Sequence, residues 1–593
     1  MLDILKDKGT VVCRLPGKKK TWGLFRSPLE TITAYRIPEV IPALYKLEDC
    51  LKKGFYVAGF ISYEASSAFD PANRTNKLNG FPLVWLSAYK NFSPLKLPAS
   101  TTFNQHSVIL SPEIGKDIYL KHMKRIKKYI YDGDIYQANY TFRTTGKKPD
   151  NPELLFLSLF RSHPVPYSAF VNTGNLQLIS NSPELFLESI SGKIRSLPMK
   201  GTASRALTCE EDRKVSENLS NDLKNRAENI MIVDMVRNDL GRICRTGSVK
   251  ADDLFHVDTY PTVHQMVSEV TGRLKAGTSV SNILSAVFPP ASITGAPKIR
   301  AMEIISELEK SPRKAYTGSI GCFLPNGDLC LNVAIRTFIC SGRKMELGIG
   351  SGIVADSEPG KEYDECLMKK NFANFATPEF KVLETILWEK GKGLKHVKEH
   401  LERARDSQMY FGRKWNAAKV SQALKRLISN LTSNKIKRAR CRLLVSQDGR
   451  AETEFAVLEK PGWGKDLLKI KLSNRRTDSK DVFLYHKTTN RKFYDEQFRK
   501  AHSEGFDEVI FLNEKDELTE GAITNVFILE DGQWLTPALA CGLLPGIWRR
   551  KMIRRLHAKE VRITAVDLKQ AGKIIIGNSV RGGGEAKLTA DIR

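Results

Sequence analysis

Hydrophobic positions at the start of the chain fall in short runs separated by Pro- and Gly-containing breaks. FYVAGFISY (55–63) is one such run, and residues 1–115 read as strands and turns with few long helices. Near residue 116 the period changes. KDIYLKHMKRIKKYIYDG carries apolar residues at helical spacing up to Gly133, which predicts an amphipathic helix followed by an extended segment. ENLSNDLKNRAENIMIVDMVRNDLGRI (217–243) predicts a long helix closing toward Gly241, and strands are expected around it at 168–196 and 318–354. These elements describe a mixed α+β unit.

A second change of character falls at 371–380, where NFANFATPEF leaves a charge-rich helix and opens the strand-like FKVLETILWEKGKGL. The pattern then predicts a helix at 396–411 and strands at 440–458, 507–512, 525–530 and 574–579. A chain of 593 residues exceeds the roughly 250–300 that one core supports, so two units are expected, 1–375 and 376–593. No internal repeat relates them.

Composition narrows the class. With 41% hydrophobic and 27% charged residues, both halves should be folded rather than disordered or fibrous. No apolar run approaches the ~18–20 residues of a membrane helix, and the opening MLDILKDKGTVVCR lacks a signal peptide's apolar stretch, so a cytoplasmic protein without a membrane partner is expected. Ten scattered cysteines, with no C-x-x-C pair, read as reduced and structural. The net charge of +27 raises nucleic-acid binding as a possibility. The basic stretches at 121–128, 435–442 and 549–555, however, lie inside amphipathic or strand patterns without interleaved aromatics. They read as solvated faces that would attract small anions, and no nucleic acid is expected as a partner.

Candidate chemistry begins with oxygen ligands at helical spacing. Asn225 and Glu228 are three residues apart, as are Glu362 and Glu365, so each pair can share a helix face. Spacing alone fits Mg2+ and fits solvated carboxylates. These residues sit within an ordered series: GDIYQANYT (133–141), SPELFL (182–187), PMKGT (198–202), RAENIMIVDMVRNDLGR (226–242), YPTVHQMVS (260–268), SITGAPKIRAM (292–302), YTGSIG (316–321), NVAIRT (332–337) and GIGSGIVADSEP (348–359). The series resembles the chorismate-utilising family, which includes anthranilate, isochorismate, salicylate and aminodeoxychorismate synthases. It covers residues 116–372 strongly and 1–115 loosely.

That resemblance implies an anthranilate-synthase-component-I-like α+β fold and a site built to clamp two carboxylates. It places Mg2+ on Glu228 and Glu365, with Glu362 and Asn225 close by, to hold the ring carboxylate. Arg336 and Tyr316 would take the enolpyruvyl carboxylate, completed by Gly201, Thr202, Gly350 and Lys369. Glu184 matches the position that protonates the departing C4 hydroxyl, a task for a carboxyl kept partly neutral. His264 matches the family's site histidine. Gln137 stands where water-adding members carry a lysine. Lys200 stands where anthranilate synthases typically carry Ala, and resembles the nucleophilic lysine of the enzymes that aminate C4. One departure is FPPASITGAPK, with Pro290 and Ala291 where the family commonly shows a Gly pair, so the loop must differ locally. GIGSGI (348–353) lacks dinucleotide-loop spacing.

A second series runs through LETILW (383–388), HLERARDSQMYFG (400–412), HKTTNRKFY (486–494), LTEGAITNVFI (518–528), GLLPGIWR (542–549) and IIGNSVRG (575–582). It resembles the class IV fold of pyridoxal-phosphate enzymes, a two-subdomain α/β fold shared by D-amino-acid aminotransferases and 4-amino-4-deoxychorismate lyase. By that resemblance Lys487 would carry the cofactor, Glu520 would face its ring nitrogen and Arg403 its phosphate, with backbone donors at Gly546 and Ile547. Thr524, Asn525 and Ser579 would add contacts, and Tyr494 would support the ring.

Together the halves imply synthesis of 4-aminobenzoate: ammonia-dependent amination of chorismate at C4, then elimination of pyruvate. The alternative is an anthranilate-type synthase fused to an amino-acid aminotransferase. A different class, a basic nucleic-acid-binding protein with degenerate enzyme domains, would show salt-sensitive DNA retention. No glutaminase unit is read in either half, so ammonia is expected from solution or from a separate glutamine amidotransferase subunit. A homodimer through the second half is the assembly its relatives suggest.

Overall fold

Two ten-stranded sheets face each other in the first half of the chain. The computed structural model describes every residue except 1, 18–20, 96–107, 163, 371, 373–377, 465–466 and 591–593, and the expected boundary near 376 lies outside the described residues. The chain divides into Met1–Ser204 with Ser216–Thr377, and Arg205–Val215 with Pro378–Arg593.

Alternation along the strands builds the first unit in four layers. Val11 and Cys13 of strand Thr10–Arg14 join Ala58, Phe60 and Ile320 of the opposing sheet in a shared core, whereas Val12 points to the outer helices. Lys116–Tyr131, Pro152–Ser162, Lys298–Leu308 and Pro359–Lys369 cover one outer face. Ile37–Lys52, Leu223–Gly241 and Val280–Val287 cover the other. Ile37–Lys52 is a long helix in a region that reads mainly as strands; Val40, Ala43, Leu44 and Leu47 supply its buried stripe.

The helix expected at 217–243 is two helices, Cys209–Asn221 and Leu223–Gly241. Asp222 separates them, its carboxylate accepting from Asn225 N, an N-cap that outcompetes continuation of the helix. The strand expected at 440–458 is a hairpin, Arg438–Val445 and Ala451–Val457, turning at Gly449 with φ +79.

In the second unit, a four-stranded sheet orders Gly393–Leu394, Val382–Glu389, Arg438–Val445 and Ala451–Val457. Helices Val397–Tyr410 and Ala417–Ser433 complete that core through Ala404, Val420, Leu424 and Leu427. An eight-stranded mixed sheet has Leu467–Thr477 at its parallel centre, between Glu508–Asn513 and Gly582–Ala590. Among the described residues no helix is long and apolar enough to cross a membrane. All ten cysteines are free thiols.

Candidate active sites

In the first unit, glycine allows three strands to close on one amine. Gly352 lies in Lys344–Ile353, opposite Asn139 of Gln137–Lys147, and a Cβ on it would stand 2.7 Å from both Lys200 Nζ and Gln137 Nε2. Both amide atoms of Gln137 are buried without a partner among the described residues. A buried orphan of this kind costs about 1–3 kcal/mol and marks a place for a ligand or water.

Lys200 sits on Met199–Ser204, whose turn needs glycine at Gly201, φ +94, with Asn225 Oδ1 packed against it. Asn229 fixes the strand, its Nδ2 donating to Lys200 O at 3.4 Å while its Oδ1 accepts from Ser268 Oγ at 2.5 Å. Burial holds the Lys200 amine below the ordinary lysine range, against the pull of Glu228, Glu184 and Glu365. Glu184 is buried and accepts a hydrogen bond from Ser292 Oγ at 2.5 Å; burial pushes its carboxyl up to about 7.

The carboxylate helices face this amine. Burial pushes Glu228 up; Lys200 opposes the shift, and Glu362 and Glu365 add to it. Glu365 pairs with Lys369 at 2.8 Å, and Lys369 Nζ also donates to Gly350 O at 2.9 Å. Asn225 Nδ2 donates to Asp222 Oδ1 at 2.8 Å. No three His, Cys, Asp or Glu side chains among the described residues converge to enclose a metal ion. The expected set of Asn225, Glu228, Glu362 and Glu365 is thus brought to one neighbourhood but not closed. The donors still suit Mg2+, which takes one or two carboxylates and fills its shell with water and substrate oxygens.

Arg336 adopts a left-handed backbone, φ +50, and burial holds its guanidinium below the ordinary range. No carboxylate among the described residues pairs with it. Tyr316 is buried with Arg143 stacked 4.9 Å over its ring. Arg143, which the sequence motifs do not single out, keeps Nε and Nη1 buried and without a partner among the described residues. His264 shares a hydrogen bond with Thr259 Oγ1 at 3.0 Å and lies opposite Ala203. Thr202 is exposed.

The second unit holds a cavity of about 630 Å³, within the ~300–1,000 Å³ that suits a small ligand. Arg403, Lys487, Tyr494, Glu520, Asn525 and Ser579 line it, as do Thr524 and Ile547. Burial, with Arg491 and Arg403 nearby, brings the Lys487 amine down to about 7. Burial pushes Glu520 up to about 8, with Asn525 Nδ2 donating to its Oε2 at 3.1 Å. The Tyr494 hydroxyl lies near Glu520 and is buried, with no partner at hydrogen-bonding distance and angle among the described residues.

Arg403 is gripped by Glu384, which His400 Nδ1 also contacts at 2.6 Å. Burial would raise the Glu384 carboxyl, but Arg403 and His400 hold it down at about 2. Gly546 caps helix Ile547–Leu556, and a Cβ there would collide with Asn525 Oδ1, so the backbone at this N-terminus is kept open. Gly546 N itself donates to Leu544 O at 2.8 Å, so the donor expected there is already used, and the N–H groups that open the helix at Ile547 are the ones that suit a phosphate. Thr524 has its hydroxyl committed to Glu508 Oε2 at 2.9 Å, and Glu508 also accepts from Ala522 N and Ile523 N. The orphaned Tyr494 hydroxyl and the glycine cradle both fit pyridoxal phosphate. Ser292, Asn229, Glu384, His400 and Glu508 carry a local signal only in hindsight: a polar side chain on an otherwise buried helix or strand face.

The profile of the chorismate binding enzyme family matches residues 27–374, more than half of the chain. That of amino-transferase class IV matches residues 381–587, a family whose domain implies pyridoxal phosphate. Aminodeoxychorismate synthase component 1 of Klebsiella aerogenes is 39% identical over 289 residues, 49% of this chain and 62% of that protein. Anthranilate synthase component 1 1 of Haloarcula marismortui is 41% identical over 254 residues, 43% of this chain and 52% of that protein. The matches therefore span less than two thirds of either relative's length. The crystal structure of anthranilate synthase component I from Streptococcus pneumoniae superimposes with a TM-score of 0.54 at 25% identity, covering 61% of this chain and 94% of that one.

Proposed function

Because the chain belongs to the chorismate-binding enzyme family and carries a class IV aminotransferase domain after it, we propose that it makes 4-aminobenzoate from chorismate in two successive reactions. The observation that carries this reading is the buried Lys200 amine, held below its ordinary range beside Glu184 and the unpartnered amide of Gln137. A desolvated amine is a nucleophile, and a carboxyl raised to about 7 is an acid at neutral pH.

Lys200 Nζ forms a bond to C2 of chorismate as the C4–O bond breaks, and Glu184 gives its proton to the departing hydroxyl, which leaves as water. Ammonia then bonds to C4 and loses a proton as the C2–N bond breaks, which returns the lysine. Arg336, which has no carboxylate paired to it among the described residues, binds one substrate carboxylate. Glu228 and Glu365, with Glu362 and Asn225 nearby, would hold Mg2+, which would supply positive charge to neutralise the other.

In the second unit Arg403 and the helix start at Ile547 would hold the phosphate of pyridoxal phosphate, and Glu520 would face its ring nitrogen. When bound, pyridoxal phosphate supplies an electron sink for the charge released at C4. Lys487, neutral in good part near pH 7, removes the C4 proton, and the enolpyruvyl group departs as pyruvate while the ring becomes aromatic. A relative named component 1 favours a second component as the ammonia source, a glutamine amidotransferase.

Incubation of the purified chain with chorismate, ammonium, Mg2+ and pyridoxal phosphate tests the reading. The expected products are 4-aminobenzoate and pyruvate. Accumulation of 2-aminobenzoate instead would replace this reading with the anthranilate-type alternative.

A further inference from the structure

The cavity of the second unit carries more positive charge than a phosphate requires. Arg403 and the helix start at Gly546 already provide for that group. Arg440 and Arg442 stand two residues apart on Arg438–Val445 and so project from the same face. Both line the cavity, as does Arg581, two residues beyond Ser579. Arg442 lies opposite Thr385, whose carbonyl accepts from Ser579 Oγ at 3.5 Å, which ties the two basic segments to one wall.

The wall is under-neutralised. Arg442 Nη1 donates to Glu454 Oε1 at 3.0 Å, leaving its Nε buried and without a partner among the described residues. Arg581 has its guanidinium 4.8 Å over the Trp463 ring and its backbone fixed by Asn578 Oδ1 at 2.9 Å. Neither Arg440 nor Arg581 has a carboxylate hydrogen-bonded to it among the described residues. Arg440 and Arg581 are exposed at the cavity wall, and Arg440 is held below the ordinary arginine range by partial desolvation, then by Arg442 and Arg581, so the three cations share one field. Three guanidinium groups thus face one glutamate carboxylate, and an anionic ligand relieves that repulsion.

We propose that Arg440, Arg442 and Arg581 form a carboxylate-binding wall that takes the two carboxylates of a cyclic dicarboxylate amine and selects it over amino acids carrying one. This rests on the lyase reading, whose substrate has a ring carboxylate and an enolpyruvyl carboxylate. Two spaced guanidinium forks match such a dianion, whereas a single carboxylate would leave one fork unused.

The test uses the full chain loaded with pyridoxal phosphate, in the wild type and in Arg440→Gln, Arg581→Gln, the double variant and Arg440→Lys. Pyruvate release from aminodeoxychorismate is measured, and binding of benzene-1,3-dicarboxylate and of benzoate is measured separately by equilibrium titration. The expected result is a KM about tenfold higher in each Gln variant, more in the double variant, with a smaller change in kcat and partial recovery in Arg440→Lys. The wild type should prefer the dicarboxylate over benzoate by about tenfold, and the double variant should lose that preference while keeping the visible absorbance of bound cofactor. Unchanged KM and unchanged preference in an active enzyme overturn the wall and leave the lyase reading intact. Loss of the cofactor absorbance in the Gln variants also overturns it, since the arginines would then serve the phosphate. A wild type that releases no pyruvate but shows the arginine-dependent preference removes the lyase reading and upholds the dicarboxylate wall.

Discussion

Glu384 holds Arg403 by two hydrogen bonds, 2.9 Å to Nε and 2.8 Å to Nη2, in a pair whose carboxylate is fully buried. The fork is thereby fixed, and Nη1 is left to reach Pro545 O at 3.3 Å beside the Gly546 turn. Removing one partner of a buried pair strands the other, at about 3–5 kcal/mol. Glu384→Ala is therefore expected to lower stability by that order in urea unfolding of the cofactor-free protein. It should also weaken pyridoxal phosphate binding by about tenfold or more, read by equilibrium titration. The pH dependence has a definite sign. The folded value of about 2 lies below the ordinary 4.5, so the stabilisation is complete above 4.5 and is lost as pH falls toward 2. In Glu384→Ala the unfolding free energy should lose this contribution to its slope between those values.

The synthase reaction needs Lys200 unprotonated and Glu184 protonated, and both shifts move in the useful direction. Because burial raises Glu184 to about 7, its acid form declines as pH rises past 7 and activity should fall with it. Because burial lowers Lys200, the free amine appears at lower pH than for an exposed lysine. A bell-shaped kcat/KM profile for chorismate is expected. Lys200→Ala should lose most ammonia-dependent product while still binding chorismate in a fluorescence or calorimetric titration. Near-wild-type turnover in that variant would exclude the covalent route.

The residues proposed to carry the chemistry are easier to read from the sequence than the side chains that support them. Lys200, Glu184, Lys487 and Glu520 stand in dense motifs where residue type and order carry information. Ser292, which donates to Glu184, and Glu384, which grips Arg403, have partners 108 and 19 residues away, a pairing that only the folded chain creates. Local competition explains other misses. Apolar spacing runs unbroken through 217–243, but Asp222 accepts Asn225 N and starts a new helix there. Ile37–Lys52 has a readable stripe at Val40, Leu44 and Leu47, masked by Pro38 and Pro42, of which only the second lies in the helix interior. The carboxylates of Glu228, Glu362 and Glu365 were legible as a group, yet their spacing could not show that Lys369 pairs with Glu365.

Glu520 offers a separate test of the second site. Burial pushes its carboxyl up to about 8 in the cofactor-free chain, so it holds a proton near neutral pH. Beside a basic ring nitrogen that proton becomes available for a charge-assisted hydrogen bond. Glu520→Gln keeps the size and the contact to Asn525 but cannot ionise. Pyruvate release is expected to fall by about a hundredfold, the scale of a lost proton-transfer or electrostatic contribution, with cofactor binding retained. A coupled pyruvate assay alongside the visible absorbance of the bound cofactor separates the two effects.

Gly352 gives the narrowest test of the first site. An added methyl would stand 2.7 Å from Lys200 Nζ and from Gln137 Nε2. Both obstructing atoms are the ends of flexible side chains, so the fold can absorb Gly352→Ala by turning them aside. The nucleophile is then displaced while the core stays packed. Unfolding midpoints should therefore shift little, amination of chorismate should drop by about a hundredfold, since displacement by an ångström costs catalysis on that scale, and pyruvate release from supplied aminodeoxychorismate should be unchanged. If Gly352→Ala aminates chorismate at the wild-type rate, the Lys200 amine does not work from the position the structure gives it.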